Sequence, residues 1–150
     1  MKPLIVLLVV FIIAVVVLKL TTGNYQFSLS ARIAMCVMLC FTAIAHFVFT
    51  KGMTMMIPDF IPYRKELVYF TGILEIVLGI GLLTPSFRVV AAWLLIGFFI
   101  LMLPANINAA IHKIDYQKGT IGGPGLTYLW FRVPLQVLFI CWTYFSTIVK

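Results

Sequence analysis

Acidic residues are almost missing from this chain. Only four of its 150 residues are Asp or Glu, against eleven Lys and Arg. Charged residues make up 10% of the sequence, while 63% of it is hydrophobic. A soluble domain of this length needs many more charged side chains to cover its surface. The composition therefore excludes an ordinary soluble domain and indicates that lipid is the solvent for most of the chain.

Patterns that identify nucleic-acid, metal or redox sites are also missing. The basic residues stand singly, so the net charge of +7 does not indicate nucleic-acid binding. The sequence has no C-x-x-C pair, no H-x-x-x-H spacing and no flavin or haem motif. The three cysteines, Cys36, Cys40 and Cys141, lie in apolar runs, where thiols usually act as small packing residues. We therefore predict no metal site and no nucleic-acid partner.

Long apolar runs dominate what is present. In lipid, backbone groups must be satisfied within the segment, so such runs become helices. Roughly 20 apolar residues span the hydrocarbon core of a bilayer. Five runs qualify, at residues 3–20, 33–49, 67–83, 89–111 and 126–149. We predict an all-α membrane protein in which each run is a transmembrane helix.

The first run has a second interpretation, as a signal peptide, because Lys2 precedes its apolar core. No small-x-small cleavage site follows it, since the next residues read KLTTGN at 19–24. We therefore favour an uncleaved helix. This divides the chain into an N-terminal transmembrane helix and loop over residues 1–29 and a membrane domain over residues 30–150.

Polar residues interrupt the apolar runs mainly on one side of the predicted bundle. Glu75 lies within the third run, and an ionised carboxylate in hydrocarbon is costly unless it faces a bundle interior and has a partner there. Consecutive helices alternate in direction, so the ends of runs two and four meet the starts of runs three and five. The other polar candidates lie in those halves: His46, Asn106, Asn108, Arg132 and Gln136.

We predict that these six residues form a ligand-binding pocket in one leaflet, with Glu75 and Arg132 as its charged pair. Arg132 and Gln136 are four residues apart and share a helix face. Asn106 and Asn108 are two apart, so at most one of them points into the pocket. The competing interpretation is a Glu–Arg pair that only fixes the register of the bundle, without any ligand.

The neighbourhood of the pocket has two further features. Gly72 and Gly79 lie on the face of Glu75 and would let another helix, or a flat ligand, approach the carboxylate closely. The segment 51–66 is rich in methionine and proline and too short to span, so we predict an interfacial or re-entrant segment over the pocket mouth. Residues 118–125 read as a turn-rich loop, whereas the opposite connection at 84–88 is a bare turn. The more elaborate side is therefore the expected functional side.

Short motifs in a fixed order carry a family resemblance. They are AHF at 45–47, MIP at 56–58, IP at 61–62, LVY at 67–69, GILEI at 72–76, GIGLL at 79–83, PANINA at 104–109 and RVPLQ at 132–136. Together they resemble the DoxX-like family of small bacterial integral membrane proteins over roughly residues 31–145. The resemblance implies a four-helix transmembrane bundle, here runs two to five, preceded by one extra N-terminal transmembrane helix.

The resemblance also implies a functional class. Some DoxX-like relatives are subunits of a thiosulfate:quinone oxidoreductase, and others belong to membrane complexes linked to oxidative stress. We therefore expect a redox-associated subunit of the bacterial inner membrane that binds a quinone or similar lipid and has a redox protein complex as its partner. The alternative is a non-catalytic membrane scaffold or lipid-binding module whose Glu–Arg pair is structural. These alternatives leave open whether the protein is an enzyme.

Overall fold

The fold is all-helical apart from one two-residue β ladder. The computed structural model describes residues 2–149. Met1, the first residue of the predicted N-terminal unit, and Lys150, the last residue of the predicted membrane domain, lie outside the described residues. The elements in chain order are α1 (Lys2–Thr22), α2 (Phe27–Val48), α3 (Thr50–Met56), α4 (Arg64–Leu83), α5 (Arg88–Leu101), α6 (Leu103–Ile111), β1 (Ile114–Asp115), β2 (Thr120–Ile121) and α7 (Thr127–Thr147).

Several of these helices are suited to a membrane. Within residues 2–149, four helical stretches are long and apolar enough to cross one: Lys2–Thr22, Phe27–Val48, Arg64–Leu83 and Arg88–Ile111. This confirms the prediction of a helical membrane protein. The 21-residue helix α7 is long enough but less apolar, because it contains Arg132 and Gln136. Its role as a fifth span stays a prediction.

The helices α2 and α4 pack against each other at backbone distance. A Cβ atom placed on Gly72 would lie 2.8 Å from the Cβ of His46, and one on Gly79 would lie 3.5 Å from the Cα of Cys36. Small residues allow such close approach between helices in lipid. The neighbour of both glycines in the structure is therefore a helix, α2.

The fourth apolar run is not one helix but two, α5 and α6, which meet at Met102. Pro104 lies in the first turn of α6 and has no N–H to donate to the carbonyl of Ile100. The Phe98 carbonyl accepts from Met102 N–H at 3.0 Å, while the Phe99 carbonyl accepts from a side chain of α7, Gln136.

An apolar core fills the end of the bundle at the short connections 23–26 and 84–87. Leu82, Ala92 and Leu95 are fully buried there. The helix α1 lies along α2 and buries little more than Leu7 and Ala14, so most of its surface faces outward. That exposed apolar surface fits contact with lipid.

The other end of the bundle is closed by α3 and by the β1–β2 hairpin, which pairs Ile114 with Ile121. A Cβ atom on Gly52 of α3 would lie 1.9 Å from the carbonyl oxygen of Tyr116, so the short helix rests directly on the hairpin. With only seven residues, α3 is too short to span a membrane. It falls in the segment predicted to be interfacial or re-entrant.

Candidate ligand-binding cavity

A cavity of about 690 Å³ lies at the hairpin end of the bundle. Its lining comes from α2, α4, α5, α6 and α7, from Lys2 and Pro3 at the start of α1, and from Tyr116 and Gln117 of the hairpin. The short helix α3 and residues 57–61 form the wall at the outer end. Most of the lining is apolar, and aromatic rings such as Phe98, Phe99 and Phe139 contribute to it. Cavities of this size and character typically hold small amphiphilic or drug-sized molecules.

The structure brings together most of the predicted pocket residues. Five of the six line this cavity: His46, Glu75, Asn106, Arg132 and Gln136. Asn108 is not part of the lining, and its Nδ2 donates instead to the carbonyl oxygen of Met56 at 3.0 Å. The two asparagines thus point in different directions, as a spacing of two residues on a helix requires. Asn108 holds the end of α3.

Glu75 is buried and has two polar neighbours on α2. Its Oε2 accepts a hydrogen bond from Thr42 Oγ1 at 2.9 Å, and its Oε1 lies 3.5 Å from His46 Nε2. His46 Nδ1 lies 3.0 Å from the carbonyl oxygen of Val68. Thr71 Oγ1 also lies 3.1 Å from Nδ1, so Nδ1 can either donate to the carbonyl or accept from this hydroxyl. In the tautomer that carries its proton on Nε2, His46 donates to Glu75 Oε1.

The predicted Glu75–Arg132 ion pair is wrong. Within residues 2–149, no ion pair joins these two side chains, and the partner of Glu75 is His46. Arg132 Nε donates to Tyr128 Oη at 2.7 Å. The guanidinium carbon also lies 5.3 Å from the ring centroid of Tyr128 and 5.9 Å from that of Tyr116. Arg132 is therefore held by aromatic rings near the hairpin. Because Gly72 has no side chain, α2 packs close to α4 at this point, and His46 lies against the Glu75 carboxylate.

Gln136 is the cavity residue whose hydrogen bonding is incomplete. Its Nε2 donates to the carbonyl oxygen of Phe99, in the last turn of α5, at 3.3 Å. Its Oε1 is buried and has no hydrogen-bond partner among residues 2–149. Flipping the amide does not help, because two oxygens would then face each other at Phe99. A buried unpaired acceptor costs about 1–3 kcal/mol.

Sequence reasoning missed three residues that join the polar groups: Thr42, Thr71 and Tyr128. Each precedes a predicted site residue on its own helix by four positions, namely His46, Glu75 and Arg132, and so shares a helix face with it. Thr71 Oγ1 lies 3.1 Å from His46 Nδ1, which links α4 to α2. Tyr128 Oη also donates to Asn106 Oδ1 at 3.3 Å, which links α7 to α6. The i,i+4 spacing was the signal that could have found all three.

Two polar clusters therefore face the cavity. The first joins α2 to α4 and contains Thr42, His46 and Glu75, whereas the second joins α7 to α6 and contains Arg132, Tyr128 and Asn106. Within residues 2–149, no group of three or more His, Cys, Asp or Glu side chains is arranged to hold a metal ion. The two clusters offer both hydrogen-bond donors and acceptors to the cavity.

A family model described as a domain of unknown function, DUF8561, matches residues 35–147. The chain belongs to the DUF8561 family. The DUF8561 match begins inside α2 and ends with α7, so it contains Gln136 and both polar clusters, while α1 precedes it. No curated protein and no solved structure matches the chain. The resemblance to the DoxX-like family stays a prediction.

Proposed function

We propose that this DUF8561 protein is a multi-pass protein of the bacterial inner membrane whose cavity binds a quinone or a similar lipid, as a redox-associated subunit. One observation carries the proposal. A largely apolar cavity is lined by a buried carboxylate–imidazole pair, Glu75 and His46, together with Arg132 and Gln136. In this proposal α7 is the fifth span, because it packs along α5 and α2.

The division of polar and apolar surface supports an amphiphilic ligand. The polar side chains are few, and they come from α2, α4, α6 and α7, so a headgroup between them would be contacted from several directions. The remaining lining consists mainly of Met, Phe, Leu, Ile and Pro side chains. A chain of isoprenoid type would lie against these apolar groups, as hydrocarbon does in other ligand cavities.

The chemistry of the polar groups supports a quinone in particular. The rings of Phe99 and Phe139, with centroids 5.6 Å apart, offer a wall for a flat headgroup. Arg132 uses Nε for Tyr128, and its other N–H groups suit a quinone oxygen. An imidazole next to a carboxylate, as His46 and Glu75 provide, suits proton exchange with a reduced headgroup. Electrons would come from a partner complex, since the sequence has no flavin or haem motif.

The scaffold alternative is favoured by a different observation. Both oxygens of Glu75 already have neighbours within the protein, so the His46–Glu75 pair does not need a ligand. If the pair is purely structural, the protein would act as a lipid-binding or scaffolding module. The experiment must therefore separate ligand retention from folding.

Mass spectrometry of organic extracts from the purified protein makes that separation. We expect the wild type to retain a quinone and Glu75→Gln to lose it, with thermal unfolding measured on the same samples to show that both are folded. Glu66→Gln is the matched control, because Glu66 lies in the same helix but is exposed, and it should retain the quinone. Extracts carrying the same lipids in all three samples would contradict the proposal.

A further inference from the structure

We infer that the cavity contains an anion subsite, formed by Arg132 and Asn106, that binds the acidic headgroup of a single-chain lipid. The inference goes beyond the proposed function, because it names a second class of ligand, which would compete with a quinone for Arg132. It is carried by hydrogen-bond donors that line the cavity and have no acceptor among residues 2–149.

Arg132 carries a positive charge that no carboxylate of the bundle balances. Among residues 2–149, the buried carboxylate, Glu75, pairs with His46, and no ion pair includes Arg132. The Arg132 side chain is half-buried and lines the cavity. Because a charged side chain inside a membrane bundle is costly unless it has a partner, the missing partner is expected to be an anion from outside the chain.

The Arg132 guanidinium is held in a way that leaves its two terminal nitrogens over. Nε donates to Tyr128 Oη at 2.7 Å, and the ring centroids of Tyr128 and Tyr116 lie 5.3 and 5.9 Å from the guanidinium carbon. Nη1 and Nη2 have no hydrogen-bond partner among residues 2–149, and neither is enclosed by protein atoms, in contrast to Gln136 Oε1. Both terminal nitrogens are therefore accessible to a ligand.

Asn106 adds a further donor beside the guanidinium. Its Oδ1 accepts from Tyr128 Oη at 3.3 Å, and the same Tyr128 oxygen accepts from Arg132 Nε, so the amide and the guanidinium lie side by side. This network sets the orientation of the amide, because the Tyr128 hydroxyl needs an oxygen to which it can donate. Asn106 Nδ2 has no partner among residues 2–149 and is not enclosed, although only 6% of the residue is exposed. The polar groups left over here are thus donors.

Donors around an unbalanced positive charge select an anion. A carboxylate or phosphate group has enough oxygens to accept from both terminal nitrogens of Arg132 and from Asn106 Nδ2. A neutral headgroup would leave the charge of Arg132 unbalanced. The mostly apolar lining and the volume of about 690 Å³ suit a single acyl chain behind such a headgroup.

The cavity also reaches the lipid-facing side of the bundle. Ile44 of α2 and Leu101 of α5 belong to its lining, yet they are 60% and 72% exposed. Both residues lie within apolar runs predicted to be in the membrane. An acyl chain can therefore enter from the bilayer, which favours a lipid acid over a water-soluble one.

Displacement of a photoreactive lipid tests the inference. The label is a palmitate analogue with a diazirine on its chain, added to the full-length protein in nanodiscs of phosphatidylcholine, a lipid without net charge. Unlabelled palmitate, hexadecyl phosphate and methyl palmitate compete with it, at mildly alkaline pH and with amounts compared per lipid molecule. We expect at least one of the two acids to compete about tenfold better than the neutral ester, the effect of hydrogen bonds to a charged group. Which acid competes better identifies the headgroup, and the labelled peptides should come from the cavity lining.

Variants then assign the preference to the subsite. Arg132→Gln removes the charge and should abolish the preference for the acids. Lys65→Gln is the matched control, because Lys65 is an exposed cation at the same end of the bundle and does not line the cavity, so it should keep the preference. Asn106→Asp keeps the shape of the side chain but gives Arg132 a carboxylate within the protein. It should therefore also abolish the preference, and it provides the test if Arg132→Gln does not fold.

The outcomes separate the inference from the proposed function. Equal competition by the acids and the ester overturns the inference, as does labelling outside the cavity lining. A preference that survives Arg132→Gln or Asn106→Asp also overturns it. None of these results bears on whether organic extracts of the purified protein contain a quinone, so the proposed function stands or falls separately.

Discussion

The two ends of the helical bundle satisfy their buried polar groups in different ways. At the end with the short connections, Ser30 and Thr143 donate to carbonyl oxygens four residues earlier in the chain, at 3.0 and 2.8 Å. At the cavity end, Glu75, Asn106 and Gln136 have their partners on other helices. A hydroxyl that bonds to a carbonyl of its own helix is satisfied in lipid wherever the neighbouring helices lie. A group that depends on a second helix makes the position of that helix matter. At the end with the short connections, the contact of this kind is the bond from Trp142 Nε1 to the Ala31 carbonyl at 3.0 Å.

The sharpest break in this comparison is His46→Leu. It leaves the buried Glu75 carboxyl without the imidazole that lies 3.5 Å from it, and losing one partner of a buried pair typically costs about 3–5 kcal/mol. The double variant His46→Leu, Glu75→Gln should recover at least half of that loss, because no carboxylate remains. Chemical unfolding of the reconstituted protein measures both. Additive losses would show that the two side chains are not coupled.

A packing change at the opposite end should affect stability alone. Leu82 is fully buried, and Leu82→Ala should cost about 2–5 kcal/mol through the space that it leaves. Val77→Ala is the control, because Val77 lies on the outward face of the same helix and should change stability by less than about 0.5 kcal/mol. Both variants should retain the quinone. Loss of the ligand in Leu82→Ala would mean that ligand retention at the cavity end depends on packing at the opposite end.

A third change tests how tightly the outer wall is built. Gly52→Ala places a methyl group against the carbonyl oxygen of Tyr116, so α3 must move, at a cost of about 1–3 kcal/mol. Gly97→Ala in α5 meets open space and should be neutral or gain up to about 1 kcal/mol. Thermal unfolding of the two variants should therefore shift in opposite directions or by clearly different amounts. Equal shifts would show that α3 does not rest firmly on the hairpin.

The smallest expected effect is at Asn108. Asn108→Leu removes the hydrogen bond to the Met56 carbonyl and should cost about 1 kcal/mol. Its clearer consequence is faster amide hydrogen exchange in residues 50–61, the segment that this bond holds. Thr84→Val, at the opposite connection, removes a hydroxyl that bonds within its own helix and should leave that exchange unchanged. Unchanged exchange in Asn108→Leu would place the anchor of α3 elsewhere.

Much of the helical framework was predictable because the physics of lipid is simple. The apolar run at residues 67–83 predicted the end of α4, Leu83, correctly and its start, Arg64, to within three residues. The start of α2 was missed by six residues, since Ser28, Ser30 and Arg32 continue the helix although they are polar. The alternation of helix direction was enough to place His46, Glu75 and Asn106 around one space. Such arguments require only length and hydropathy.

The choice of partners was not predictable in the same way. Whether Glu75 meets His46 or Arg132 depends on how closely α2 approaches α4, and that distance follows from what faces Gly72. The break at Met102 was visible only as Pro104 within an otherwise apolar run. The incomplete hydrogen bonding of Gln136 depends in turn on that break, because the amide is held by a carbonyl at the end of α5. These facts concern pairs of helices, which a single run of residues does not specify.

The contact of Gly72 and Gly79 with α2 bears on how the cavity can enlarge. Two helices whose backbones touch at two places, two turns apart, cannot separate without losing both contacts together. The α2–α4 side is therefore a stiff wall, and room for a bulky guest has to come from the side formed by α5, α6 and α7. That side already contains a break between two helices at Met102 and a proline inside α7, Pro134. Its helices can therefore bend more easily than α2 and α4 can move apart.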